Sequence, residues 1–377
     1  MRLNLFYLHI LCAVLCLSAC GRHKTASLNT EGDTITMHYA ENLSIVDHSD
    51  YTVVTMRNPW DTLKTLHTYI LIDKNKPQPK QLPEGTIVRI PIEKAVIFSS
   101  VHCGLFDELN VADHIAGVCD LQYIKLDKVI NGCNEGRIIN CGNGMNPDIE
   151  LLIELHPDAL LISPFENSGG YGRVEKLDIP IIECADYMET SALGRAEWIR
   201  FYGRLNGVGK TADSLFSQIE TSYLSLRRLA LSQKERPTVL GELKNGSAWY
   251  IPGGHSTTGR LFADAGANYI FADMPQSGSV PLSFETVFNK GQYADFWFIK
   301  YNQKTDKTYS ELQRDYSPYA HFKAFKTRHI YGCNTNRVPF YEETPYHPER
   351  ILKDLIKIMH PGLLTADSTR YFTNLAE

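Results

Sequence analysis

Four kinds of hydrophobic pattern follow one another along the chain. The first is a stretch from Leu3 to Ala19 without Asp, Glu, Lys or Arg, preceded by Arg2 and apolar over residues 10–17. It falls short of the roughly 20 apolar residues that a permanent membrane span needs, and it suits the apolar core of a secretory signal. The second pattern, over residues 34–91, consists of short runs rich in β-branched and aromatic residues at 34–39, 51–57, 67–73 and 86–90. Turn residues such as Asn58-Pro59 and Pro83-Glu84-Gly85 separate them, which predicts a hairpin or small sheet. From Ala95 the chain alternates continuous apolar runs (95–98, 115–118, 159–162, 181–182) with helical stretches, one near 104–109 and one at 147–155 with Asn146 as N-cap. Strands apolar on both faces, taken in turn with helices, predict a mainly parallel sheet. The fourth pattern, over residues 190–234, has helical spacing only: Trp198, Phe201, Tyr202 and Leu205, then Leu215, Phe216, Ile219, Tyr223 and Leu226. A short helix, a turn at Asn206-Gly207 and a long helix are expected. After Pro237 the α/β alternation resumes, with strands at 238–241, 249–251 and 296–299, helices at 258–265 and 284–290, and a last amphipathic helix at 349–359.

The two α/β stretches share a weak likeness. Asp148-Ile149-Glu150, a helix, Pro157-Asp158 and a strand in the first correspond to Ser283-Phe284-Glu285, a helix, Ala294-Asp295 and a strand in the second. One such match in each stretch favours an α/β protein of two related lobes. Composition supports a globular chain with a sizeable core: 43% hydrophobic and 21% charged residues. The net charge of -5 and the lack of Lys/Arg blocks exclude nucleic acid as a partner. Cys103, Cys119, Cys133, Cys141, Cys184 and Cys333 are irregularly spaced, without C-x-x-C. Cys133 and Cys141 flank a Gly-rich loop, and whether they pair stays open. The histidines lack H-x-x-x-H or H-E-x-x-H spacing, so no metal site is assigned. No nucleophile elbow, G-x-G-x-x-G or P-loop is present, and Ser168-Gly169-Gly170 reads as a plain turn. These absences argue against an enzyme, assign no catalytic residue and require no cofactor.

The first apolar stretch ends in Leu17-Ser18-Ala19-Cys20-Gly21, which resembles the lipobox of bacterial lipoproteins. The resemblance implies a signal peptide over 1–19, lipid (palmitate and diacylglycerol) on Cys20, a polar tether over 20–33, and an exported, membrane-anchored protein facing the periplasm or cell surface.

A second resemblance runs over residues 93–361. The segments EKAVIFSSVHCGLFDELNVADHIAGV, NPDIELLIELHPDALLIS, LDIPIIE, WIRFYGRLNGVGKTAD, GRLFADAGANYIF, PLSFETVFNKGQYADFWFIK and YHPERILKDLIKIMHP occur in that order. They are similar to the helical-backbone (class III) substrate-binding proteins of ABC importers, those for iron–siderophores, haem and vitamin B12. The resemblance implies two α/β lobes, residues 92–189 and 236–377, joined by a helical connector at 190–235, with a ligand cleft between them. The β-rich extension at 34–91 is additional to that pattern. The implied ligand is a ferric siderophore, a corrinoid or haem, carried by a monomer to a two-fold permease with ATPase subunits. An enzyme, chelatase or hydrolase, on a similar scaffold and a free-metal-ion binder are the alternatives.

Glu150 and Glu285 match the two glutamates with which these proteins dock on permease arginines; as residues of a helix first turn they would also offset the helix dipole. Cleft candidates on loops after the lobe strands are His102, Phe165 and Tyr171 in lobe one. In lobe two they are Trp249, Tyr250, Arg260, Arg337, Phe340 and Tyr341. Aromatic walls suit a large planar or macrocyclic ligand, and Arg260 or Arg337 could meet an anionic chelate.

Overall fold

The computed structural model describes residues 32–166, 170–365 and 367–377. The expected signal peptide, Cys20, most of the tether, and Ser168-Gly169 lie outside the described residues.

The extension forms a sheet of β1 (Asp33–Ile35), β2 (Leu43–Asp47), β3 (Thr52–Arg57), β4 (Thr65–Asp73) and β5 (Thr86–Ile90) in sequence order. Pairing is antiparallel through β4, and β5 then lies parallel to β4. Strand alternation puts Leu43, Ile45, Val54, Met56, Tyr69 and Leu71 in the same buried cluster as Trp198, Phe201 and Phe216 of the connector. The Tyr69 ring lies 6.1 Å from Phe201, and Tyr39 lies 6.2 Å from Phe216. Two buried carboxylates complete the seam. Glu197 accepts the backbone N–H groups of His38, Tyr39 and Ala40, at 3.0, 2.8 and 2.9 Å. Glu189 accepts those of Glu41 and Asn42, and the Trp198 indole N–H at 2.9 Å. The extension therefore shares one core with the rest of the molecule.

Lobe one holds β6 (Ala95–Ile97), β7 (Ile115–Val118), β8 (Ile139–Asn140), the hairpin of β9 (Gly142–Asn143) and β10 (Asn146–Pro147), β11 (Ala159–Ile162) and β12 (Ile181–Glu183). Its main sheet has the order β12-β11-β6-β7-β8 and is parallel throughout. The helix expected at 147–155 begins later, as Ile149–Leu155. Asn146 and Pro147 pair across the hairpin with Asn143 and Gly142 instead. Asp148 takes the cap, its carboxylate accepting the N–H groups of Glu150 and Leu151. Cys133 and Cys141 are both free thiols.

The connector is three helices, Ala192–Glu197, Ile199–Leu205 and the long Gly209–Leu231. Gly207, with φ of 73°, makes the turn before the last. Lobe two contains β13 (Thr238–Gly241), β14 (Lys244–Asn245), β15 (Ala248–Pro252), β16 (Asn268–Tyr269), β17 (Ser279–Leu282), β18 (Phe296–Tyr301), β19 (Ile330–Asn334) and β20 (Thr373–Asn374). The main sheet runs β16-β13-β18-β19-β20, with only β20 antiparallel. β15 does not join it. It is the centre of a separate antiparallel sheet, β14-β15-β17.

The lobes also touch directly. Gly104, on helix Ser100–Glu108, sits so close to helix Phe340–Glu343 that a Cβ would lie 2.1 Å from the Glu342 carbonyl oxygen. The Lys125 backbone N–H donates to Glu342 Oε1 at 3.0 Å, and Glu108 of lobe one meets His347 and Arg350 of lobe two. No helix among the described residues is long and apolar enough to cross a membrane.

Candidate functional site: the cleft between the lobes

Parallel strands direct all their C-terminal ends to one edge, and the loops that leave that edge are where α/β sheets bind ligands. In lobe one these loops begin at Phe98, Cys119, Ser163 and Cys184; in lobe two they begin at Glu242, Asn302 and Thr335. Three adjoining cavities lie along them. A central one of about 360 Å³ is lined by Ser99, Val101, His102, Phe165, Asp186 and Arg195. It shares Ser99, Ser163 and Phe165 with a cavity of about 600 Å³ on lobe one that reaches Asp120, Met145, Tyr171 and Arg173. It shares Val101 and Arg195 with a third, of about 260 Å³, that enters lobe two. Together they make one cleft with walls from both lobes. A larger hollow of about 1130 Å³ opens beside Asp295 and His329, at the opposite ends of the lobe-two strands, and shares no lining residue with the cleft.

Beneath the central cavity is a buried polar array. Asp186 Oδ1 accepts from Tyr202 at 2.9 Å and lies 3.0 Å from His102 Nε2, while Oδ2 accepts from Arg195 Nε at 2.9 Å. Asp186 is 1% exposed and His102 2%. Burial would raise the Asp186 pKa, but Arg195 and His102 outweigh it and hold the carboxyl at about 2. Burial likewise opposes charge on His102, yet Cys184 and Asp186 hold its pKa up at about 10. Asp186 engages Arg195 through Nε, and the two terminal guanidinium nitrogens have no hydrogen-bond partner among the described residues, while Arg195 lines both the central cavity and the one that enters lobe two. Across the cleft Lys300 is ion-paired with Glu242, and its ammonium lies 6.0 Å from the centre of the Phe340 ring. Burial would lower the Lys300 pKa, but Glu242 keeps it above the ordinary value. In lobe one the Tyr171 hydroxyl donates to Glu183 at 2.8 Å, and His67 Nδ1 of the extension meets the same carboxylate at 3.1 Å. The extension thereby braces one wall of the cleft.

Of the residues anticipated from sequence, His102, Phe165, Tyr171, Phe340 and Tyr341 all line the cleft. Phe165 and Tyr341 present open faces, each 48% exposed, whereas His102 lies beneath the surface as the partner of Asp186. Four expectations are corrected. Trp249 is fully buried, 5.5 Å from Trp297 and 5.6 Å from Tyr319, so it is core and not cleft wall. Tyr250, its neighbour on β15, points to the other face of the small sheet, opposite Pro281, and lines none of the three cavities. Arg260 lies on an exposed face of helix Thr257–Asp264, and Arg337 is ion-paired with Asp306 at 2.5 Å; neither lines the cleft. The cations that do line it, Arg173, Arg195 and Lys300, were missed. Lys300 had a signal, a charge directly after the apolar run Phe296-Trp297-Phe298-Ile299. Arg195 had none, sitting among helical residues. Glu150 and Glu285 are both exposed, each the second residue of its helix.

Residues 96–336 match the family model described as periplasmic binding protein. The chain belongs to the periplasmic binding protein family. The family match begins at β6 and leaves the N-terminal sheet outside it. An uncharacterized lipoprotein of Methanocaldococcus jannaschii is similar along almost the whole length, 23% identical with 98% of this chain and 96% of that protein covered. Among solved structures, a possible iron-binding (periplasmic solute-binding) protein from Staphylococcus epidermidis has the same fold, with a TM-score of 0.57 at 16% identity. That match covers 72% of this chain and 100% of the other. The periplasmic vitamin B12 binding protein of Vibrio cholerae gives a TM-score of 0.52 at 13% identity, covering 71% of this chain and 97% of that one. This periplasmic binding protein thus carries a sheet beyond the family's matched region and uses it to brace the connector and the Tyr171 wall.

Proposed function

We propose that this periplasmic binding protein is the lipid-anchored receptor of an ABC importer. It captures one metal chelate, a ferric siderophore or a corrinoid ahead of haem, and delivers it unchanged to a two-fold permease. The observation that carries the reading is the cleft itself, lined by both lobes at their C-terminal strand ends in a chain of this family. The names of the similar proteins, iron-binding in one case and vitamin B12 binding in the other, support the ligand class. Lipidation at Cys20 would hold the protein at the membrane, and Glu150 and Glu285 would meet the permease. Both helices that carry these glutamates start at the cleft end of their lobe, so one partner could touch both.

The test is calorimetric titration with ferric hydroxamate and catecholate complexes, cobalamin, haem, and free Zn and Mn. Tight 1:1 binding of one chelate, recovered intact after release, is the expected result. Tight binding of a bare ion alone, or chemical conversion of the chelate, overturns the reading.

A further inference from the structure

The cavity that enters lobe two differs in kind from the rest of the cleft. Its lining is graded. Arg195, Glu242 and Lys300 have side chains 24%, 22% and 25% exposed, and Tyr341 is 48% exposed. Thr257, Thr258 and Thr344 line it at intermediate exposure, and the deepest wall is hydrocarbon: Leu261 at 7%, Phe262 at 4%, Phe298 at 3%, Leu355 at 1% and Phe372 at 5%. Charge therefore sits at the mouth and apolar side chains at the depth. The volume, about 260 Å³, exceeds the roughly 150 Å³ of an apolar cavity that stays dry and admits benzene. An apolar hollow of that size is costly for a core to keep empty, because its lining forgoes dispersion contacts. Water is a poor filler, since the deep wall offers it no polar partners.

We propose that this pouch receives a hydrocarbon arm of the ligand, so that the captured molecule is amphiphilic. An anionic oxygen group would meet the free terminal nitrogens of Arg195 and the Lys300 ammonium at the mouth, and an alkyl or single-ring aryl arm would fill the depth. The inference rests on the binding-protein reading and narrows it. A space of about 260 Å³ lined by Phe262, Phe298 and Phe372 is small for a flat macrocycle, whereas the flexible acyl or aryl arm of a chelate fits it. The head is held by the Arg195 and Lys300 cations at the mouth, and the arm lies within lobe two.

The chain from Gly21 onward keeps every described residue and needs no detergent that could occupy the pouch. Titrating it with linear alkyl carboxylates from butanoate to dodecanoate should show affinity rising about fourfold per methylene until the pouch is full, then levelling. Leu355→Trp or Leu261→Phe, each adding volume to the wall, should abolish the rise with chain length, and a thermal melt checks that each variant is folded. Arg195→Gln should weaken every carboxylate by a similar factor, about tenfold, without changing the dependence on length. Affinity independent of chain length in the unaltered protein overturns the proposal. So does an unchanged length dependence in both filled variants. If alkyl carboxylates behave as expected but no metal chelate binds, the pouch stands and the import reading fails. If chelates bind equally well whether or not they bear an apolar arm, the import reading stands and the pouch proposal fails.

Discussion

The charge that the cleft offers a ligand is set one layer below it. Arg195 is aimed by Asp186, and Asp186 is kept ionised by Arg195 and His102 with Tyr202 closing the ring of donors. Such an array fixes a guanidinium in one rotamer before any ligand arrives, which removes an ordering cost from binding. It also makes stability depend on pH. The folded His102 pKa, about 10, lies above its ordinary value of 6.5. Its contribution is whole below pH 6.5, where the unfolded imidazole is charged as well, and is lost as pH rises towards 10. The loss reaches about 1.4 kcal/mol per pH unit for one retained proton. Asp186 acts at the other end: its contribution is present above pH 3.8 and is lost as pH falls through about 2. Urea denaturation between pH 7 and 10 should show the alkaline decline in the unaltered protein and a flatter profile in His102→Gln; equal slopes would refute the assignment. Little of this was legible in the sequence. Trp249, Tyr250 and Tyr341 look alike as loop-proximal aromatics, and only the pleat of β15 and the packing of Trp297 decide that Trp249 is core and Tyr250 faces the other way, while Tyr341 on helix Phe340–Glu343 lines the cleft.

Elements were more legible than sites, because hydrophobic period reports burial directly. The run Ala95-Val96-Ile97 is buried on every residue, as a strand covered on both faces must be, and Leu215, Phe216, Ile219 and Tyr223 fall on the long helix Gly209–Leu231. What period could not report is which strands share a sheet. The apolar residues of β15 look like those of β13, yet β15 pairs antiparallel with β14 and β17. Nor could it show what the extension packs against, because its partners lie far along the chain: His38 and Glu197 are 159 positions apart. Glu197 is the element-scale test of that seam. It is fully buried and accepts three backbone N–H groups of the residues just after β1. Glu197→Ala would leave those donors without acceptors, and a loss of roughly 3–5 kcal/mol in denaturant unfolding is expected. Glu197→Gln, which keeps one acceptor oxygen, should lose less. Ligand affinity measured in the folded fraction should stay unchanged, since Glu197 lines none of the three cavities. A change under 1 kcal/mol in Glu197→Ala would show that the seam is not held this way.

At the scale of the whole molecule, two lobes, a stiff connector and direct contacts at Gly104 and Glu108 leave little freedom for a wide hinge. A permease would then read both lobes together, as one rigid pair of helix starts. Losing Glu150 or Glu285 alone should lower uptake a few-fold, whereas Glu150→Ala with Glu285→Ala should nearly abolish it, because each contact raises the effective concentration of the other. Ligand affinity should be the same in all three variants. Normal uptake by the double variant would leave the two glutamates as helix-terminus residues only. The long reach from the N-terminal sheet to the connector has a further consequence, for the order of events in synthesis. β1 to β4 are among the first described segments to be made, but the apolar face of their sheet is covered by Trp198, Phe201 and Phe216, which follow more than a hundred residues later. Until those residues exist, the sheet has nothing to close on, and non-local closure is slow to form. The segment that starts the described chain is therefore sealed only once the connector has been made, about half-way along the 377 residues, and its apolar face waits uncovered until then.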